Sequence, residues 1–258
     1  VERDPGRAVT RVAASAAAVA RLAVDFLLPR ACAVCQSLLD ERERGIVCGR
    51  CWSRIEHLPA PRCERCGHPN QRAACAWCRL LPPYVRAARS VCWMHRGAGA
   101  EIVHALKYGG WHAVADGIAE RMARLAWPED VVEERSMIVP VPLSASRLRE
   151  RGYNQSARIA DALASRWRIP ARDDLLVRAR ATETQTKLTP EQRLANVSNA
   201  FRVAARAASA FRNAHVVVVD DVITTAATLN ACAAALFAGG ARIVSYVTFG
   251  RAPAAGDR

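Results

Sequence analysis

His215-Val216-Val217-Val218-Val219-Asp220-Asp221-Val222-Ile223-Thr224-Thr225-Ala226-Ala227-Thr228-Leu229 is the stretch from which the rest of the chain can be read. Four consecutive valines predict a strand buried on both faces, as in a parallel sheet covered by helices. Two acids close the strand. Small and hydroxylated residues follow, then a helical spacing through Leu229, Cys232, Ala233, Leu236 and Phe237 that Gly239-Gly240 ends. Strand, acids, hydroxyl-rich turn and helix make a layout suited to a phosphorylated sugar. The turn offers backbone N–H groups and the hydroxyls of Thr224, Thr225 and Thr228 to a phosphate, and the helix N-terminus adds its positive dipole end. Paired carboxylates just before the turn can accept hydrogen bonds from vicinal sugar hydroxyls.

This string resembles the signature with which type I phosphoribosyltransferases bind PRPP (5-phosphoribosyl 1-pyrophosphate). The resemblance implies that Asp220 and Asp221 hold the ribose 2′- and 3′-hydroxyls. It also implies that Thr224, Thr225, Ala226, Ala227 and Thr228 wrap the 5′-phosphate. One position departs from that pattern: the family usually has glycine where this chain has Ala226. Alanine allows close backbone approach nearly as well, but reaches positive φ only with strain.

A chain of 258 residues, 51% of them hydrophobic, can build one α/β domain plus a small accessory module. The net charge of +13 points to anionic partners. The basic residues are 35 Arg and only two Lys, Lys107 and Lys187, so the arginine content reads as compositional bias and is weak evidence for nucleic-acid binding. No run of 18 apolar residues exists, so no membrane span is expected. Residues 1–29 are expected to form an amphipathic helix through Val9, Val12, Ala16, Val19, Leu22 and Phe26, docked on the protein. Arg11, Arg21 and Asp25 interrupt its apolar face and there is no cleavage-site pattern, so it is not read as a signal peptide.

Eight of the ten cysteines form four C-x-x-C pairs: Cys32/Cys35, Cys48/Cys51, Cys63/Cys66 and Cys75/Cys78. Each pair places two thiolates on one side of a tight loop, and two pairs supply a tetrahedral Cys₄ zinc site. Four pairs predict two structural zinc ions, bound in sequential or cross-braced order. A disulfide framework is the alternative, disfavoured without a secretion signal. His57 and His68 are expected at the surface, because eight cysteines already close two sites. Trp52 and Trp77 adjoin metal ligands and could either stack on bases or pack against the knuckles. Cys92 and Cys232 read as buried thiols.

Leu81-Pro82-Pro83-Tyr84 marks a boundary. Strands are expected at Val85–Met94, from Met137 running into a Pro-rigid loop that ends at Ser144, and at Leu175–Val177, Phe201–Ala204 and Arg242–Phe249. Helices are expected at Ala100–Tyr108, Trp111–Trp127 and Tyr153–Trp167. Successive β-α-β units imply a mostly parallel sheet with helices on both faces. The stiff loop Val141, Pro142, Leu143, Ser144, with Arg147 and Arg151 behind it, lies where an anionic leaving group would sit. Polar residues 178–187 open onto a capped helix start at Thr189-Pro190, a pattern that suits a closing loop carrying Gln185, Lys187 and Arg193.

From about Phe26 the chain resembles the ComF/GntX family. The matching pieces are Asp25–Cys32, the four cysteine pairs, Ala105–Gly109 and Pro140–Leu143 with Arg151–Gln155. Thr184-Gln185 with Arg193, Asn196 and Phe201 follow, and then the Asp220 motif. The resemblance implies a type I phosphoribosyltransferase-like α/β domain over 84–250, a double zinc ribbon over 30–80 and a tail at 251–258. It also implies PRPP as ligand with Mg²⁺, a cytoplasmic location and an association with DNA uptake. The alternative is a non-catalytic protein that senses PRPP, or binds single-stranded DNA or competence-machinery proteins.

Overall fold

The computed structural model describes residues 30–43, 45–69, 75–95, 97–179, 200–205 and 210–253. The expected N-terminal helix, the loop residues Gln185, Lys187 and Arg193, the Thr189-Pro190 helix start and most of the tail lie outside the described residues.

Four strands form one parallel sheet: β1 (Val85–Trp93), β2 (Arg135–Pro140), β5 (His215–Ile223) and β6 (Ile243–Arg251), in the order β1-β6-β5-β2. β5 is interior, with Val218 opposite Val139 on one side and Tyr246 on the other. Val216 to Val219 have no exposed surface. Their alternation divides the core. Val217 and Val219 face α2 (Ala98–Tyr108), α3 (Val114–Ala123) and α6 (Gln155–Trp167). Val216 and Val218 face α7 (Ala227–Ala238). Helices therefore cover both faces, as a strand of four valines requires. β3 (Leu176–Arg178) and β4 (Phe201–Val203) pair antiparallel in a separate ribbon.

Several boundaries depart from the sequence expectation. The helix expected over Trp111–Trp127 runs only from Val114 to Ala123, with a turn before it and the short helix α4 (Glu129–Glu134) after it. A further short helix, α5 (Ala145–Arg151), is capped by Ser144, whose Oγ accepts from the Arg147 N–H at 3.4 Å. The helix expected from Tyr153 begins at Gln155, because Asn154 caps it: Asn154 Oδ1 accepts from the Ser156 N–H at 3.0 Å.

The eight paired cysteines gather in sequential order, Cys32/Cys35/Cys48/Cys51 and Cys63/Cys66/Cys75/Cys78. Sulfur–sulfur separations are 3.9 and 3.7 Å in the first group and 3.3 and 3.4 Å in the second. Four sulfurs about 2.3 Å from one ion at tetrahedral angles lie roughly 3.8 Å apart, whereas a disulfide needs about 2.05 Å. The cysteines are unbridged and fit two Cys₄ zinc sites, with cross-bracing excluded.

Both ribbons are built into the sheet. Cys32, Val47, Cys48, Ile55 and, from the short helix α1 (Gly49–Ser53), Cys51 share the core with α2 and α3. Backbone of the module runs along the free edge of β1: the Trp93 N–H donates to Glu56 O at 2.8 Å and the Ala88 N–H to Arg65 O at 2.7 Å. The Arg65 guanidinium donates to the carbonyls of Cys78, Leu81, Pro82 and Val85, and Arg251 from β6 donates to Cys66 O. This covers an edge strand that would otherwise offer unpaired N–H and C=O groups.

His68 is buried, against the expectation of a surface residue. Its ring stacks on Trp77 at 5.6 Å, and Arg251 lies over the same indole. Trp52 is covered by Arg121, 3.5 Å from its ring, and meets Phe249 edge-on. Both tryptophans pack against side chains of the protein, Trp77 buried and Trp52 partly exposed. Cys92 and Cys232 are fully buried, as expected.

Gly67 tests this docking. Its φ is +66°, and a Cβ there would collide with the Ala88 carbonyl oxygen. Gly110, at φ +69°, has open space around it. Gly67→Ala should cost at least about 2 kcal/mol, against about 1 kcal/mol for Gly110→Ala. Thermal unfolding of the zinc-loaded protein measures the difference, and equal costs would mean the ribbon does not press on β1.

Candidate functional site

The carboxyl ends of β2 and β5 open into a cavity of about 460 Å³. Crevices at strand carboxyl ends are where parallel α/β sheets bind ligands. Asp220, Asp221, Thr224, Ala226, Ala227, Thr228, Val141, Pro142, Leu143, Ser144, Arg147 and Arg151 all line it. Of the described residues expected to meet the phosphosugar, only Thr225 of the turn is absent from the lining. The sequence reading did not single out Lys107, Gln155 or Arg178 as described members of this wall, nor the apolar Met94, Ala100 and Val103.

The two acids are inequivalent. Asp221 is 4% exposed. Its Oδ2 meets the Lys107 ammonium, and its Oδ1 accepts from Gln155 Nε2 at 3.2 Å. Asp220 is partly exposed, and its Oδ1 accepts from Ser156 Oγ at 2.8 Å and from the Asp221 N–H at 2.9 Å. Burial and the adjacent Asp221 charge push the Asp220 carboxyl up to about 7. Burial also opposes charge on Asp221, but the Lys107 ammonium outweighs it and holds that carboxyl below its ordinary value. At neutral pH one acid of the pair is firmly ionised and the other is close to its midpoint.

Two short motifs assemble this geometry. In Arg151-Gly152-Tyr153-Asn154-Gln155, Arg151 donates to Gln155 Oε1 at 3.0 Å and to the Tyr108 hydroxyl at 3.1 Å. Tyr153 donates its hydroxyl proton to Leu106 O, and Asn154 Nδ2 donates to Val141 O at 3.0 Å, fixing the rigid loop. In Lys107-Tyr108, the lysine reaches Asp221 and the tyrosine reaches Arg151. A hydrogen-bonded chain thus joins Tyr108, Arg151, Gln155, Asp221 and Lys107.

The turn after β5 reaches α7 through Ala226, at φ 61° and ψ 2°. This is the left-handed conformation that the alanine-for-glycine departure made doubtful, and the chain adopts it. Among the described residues, no side chain caps α7 and no acid occupies its first turn. The positive end of its dipole favours an anion there. Arg178 comes in from β3, where its guanidinium lies 5.2 Å from the Phe201 ring.

The fold and this site define a phosphoribosyltransferase-type domain: residues 154–257 match the phosphoribosyl transferase domain family, and residues 23–92 match the double zinc ribbon domain. Several named proteins are similar to this chain. The DNA utilization protein YhgH of Salmonella typhi is 33% identical over 227 residues, 84% of this chain and 95% of that protein. Competence protein F of Haemophilus influenzae is 40% identical over 113 residues, 43% of this chain and 45% of that protein. Competence protein ComFC of Bacillus subtilis is 26% identical over 201 residues, 75% of this chain and 79% of that protein. The chain belongs to the ComF/GntX family. Among its described residues, no helix is long and apolar enough to cross a membrane.

Ala226 gives a sharp test of the turn. Ala226→Gly relieves strain but loses a buried methyl, so stability should change by less than about 1 kcal/mol. Ala226→Val puts a β-branched residue at positive φ and should cost at least about 2 kcal/mol. Thermal unfolding compares them, and a valine tolerated as well as glycine would mean that the turn does not hold this conformation.

Proposed function

We propose that the cavity binds PRPP with Mg²⁺ and that the protein transfers the phosphoribosyl group to an acceptor nucleophile. The observation that carries this reading is the convergence of an acid pair, a helix N-terminus and three arginines on one cavity. Thr224 to Thr228 and the start of α7 anchor the 5′-phosphate. Asp220 accepts hydrogen bonds from the ribose hydroxyls. The Val141–Ser144 loop, Arg147 and Arg151 face the pyrophosphate, and Gln185, Lys187 and Arg193 belong to a closing loop.

In the reaction the C1–oxygen bond breaks, and pyrophosphate leaves with the electron pair. The acceptor's lone pair forms the new bond to C1, and the acceptor gives up its proton. Ribose gains oxocarbenium character as pyrophosphate gains charge, so fixed cations at the leaving group and a fixed ribose are what the protein supplies. Bound Mg²⁺ would add charge neutralisation at the pyrophosphate.

The same proposal sets the zinc module at 30–80 and the transferase domain at 84–250, and places the protein in the cytoplasm. The names of its relatives suggest a role in competence and DNA utilisation, with single-stranded DNA or competence-machinery proteins as partners.

Calorimetric titration with PRPP and Mg²⁺ tests the site. Binding is expected, and Asp220→Ala or Arg147→Ala should weaken it at least about tenfold, or about 1.4 kcal/mol. No binding by the wild-type protein would sink the proposal. Pyrophosphate release with candidate acceptors then separates a transferase from a PRPP sensor.

A further inference from the structure

Lys107 is one of only two lysines in a chain with 35 arginines. It stands on the last turn of α2, where its ammonium meets Asp221 at the cavity wall. Its side chain is 23% exposed and that of Asp221 is 5% exposed, so the pair is largely withdrawn from water. Gln155 holds the other oxygen of the same carboxylate. Asp221 is thereby fully engaged within the protein, while Asp220 remains partly open to the cavity.

We propose that Lys107 is a positioning residue of this site: it locks the Asp221 carboxylate against Gln155 and leaves Asp220 as the acid that the ribose meets. This rests on the phosphosugar reading given above. It assigns different tasks to two acids that the motif alone treats alike.

The charges follow from the geometry. The groups around Asp220 are Asp221 beside it, Lys107 from α2, Ser156 and Gln155 from α6, Arg178 from β3 and the buried Cys232 thiol from α7. Arg147 and Arg151 of α5 line the same cavity. Lys107 is in direct contact with the acid pair. A compact ammonium fits one carboxylate oxygen, where a planar guanidinium would engage both and displace Gln155. With the lysine present, the pair carries between one and two negative charges near neutrality, and the ammonium counters one of them. A ligand bearing several phosphate charges then enters a site that does not repel it. Without the ammonium, both acids should become harder to ionise.

The test is a ¹³C NMR titration of the aspartate side-chain carboxyls, assigned with Asp220→Asn and Asp221→Asn, alongside calorimetry with PRPP and Mg²⁺. The proteins are wild type, Lys107→Met and Lys107→Arg. Melting temperature and zinc content check that the variants fold, and Lys107→Arg keeps the test usable if the methionine variant does not. In wild type one carboxyl of the pair should titrate near 7. Lys107→Met should raise that midpoint by at least about one pH unit and weaken PRPP binding about tenfold. Lys107→Arg should return the midpoint most of the way and affinity only in part. An unmoved midpoint in Lys107→Met overturns the proposal. Lost affinity with an unmoved midpoint also overturns it, since Lys107 would then touch the ligand directly. A shifted midpoint in a protein whose wild type binds no PRPP keeps the ion pair but removes the phosphosugar reading, and the positioning role with it.

Discussion

The interior strand β5 has to be dry on both sides, and most of the architecture answers that demand. Its four buried valines contribute on the order of 6–8 kcal/mol when both faces are covered. Covering them takes α2, α3 and α6 on one side and α7 on the other. The strand then delivers two acids to the carboxyl edge of the sheet, where burial makes their charge costly. Lys107, Gln155 and Ser156 meet that cost. The hydrophobic requirement thus determines where the chemistry sits, and the polar network determines what state it is in.

The zinc module takes part in the same solution. The first ribbon adds its own apolar residues to one half of the core, and the second closes the other half beneath Trp77. Backbone hydrogen bonds along β1 and the Arg65 and Arg251 contacts join metal knuckles to sheet. Metal binding in such modules is itself folding free energy. Here that free energy is spent on an edge of the sheet that bears the candidate site.

Much of this was legible in the sequence, and the gaps have physical causes. The valine run, the acids and the cysteine spacings carry their signal within a few residues, and they led to the parallel sheet, the site strand and the two Cys₄ sites. The short helices α4 and α5 were missed because they bury one residue and none, so periodicity had nothing to report. His68 was misplaced because its burial depends on Trp77 and Trp93, partners that a motif does not name. The roles of Lys107 and Gln155 were missed for the same reason: each acquires meaning only when α2 and α6 meet the end of β5. The conformation of Ala226 could not be decided either way, since glycine is favoured there but not obligatory.

The central claim is that the turn between β5 and α7 is a phosphate seat, with the ribose laid across Asp220. A crystal structure of the protein grown with PRPP and Mg²⁺ addresses it most directly. The account predicts the 5′-phosphate against the backbone of residues 224–228, the ribose hydroxyls on Asp220, and pyrophosphate toward Arg147 and Arg151. A ligand seated elsewhere, or one with its pyrophosphate in the 224–228 turn, would contradict it.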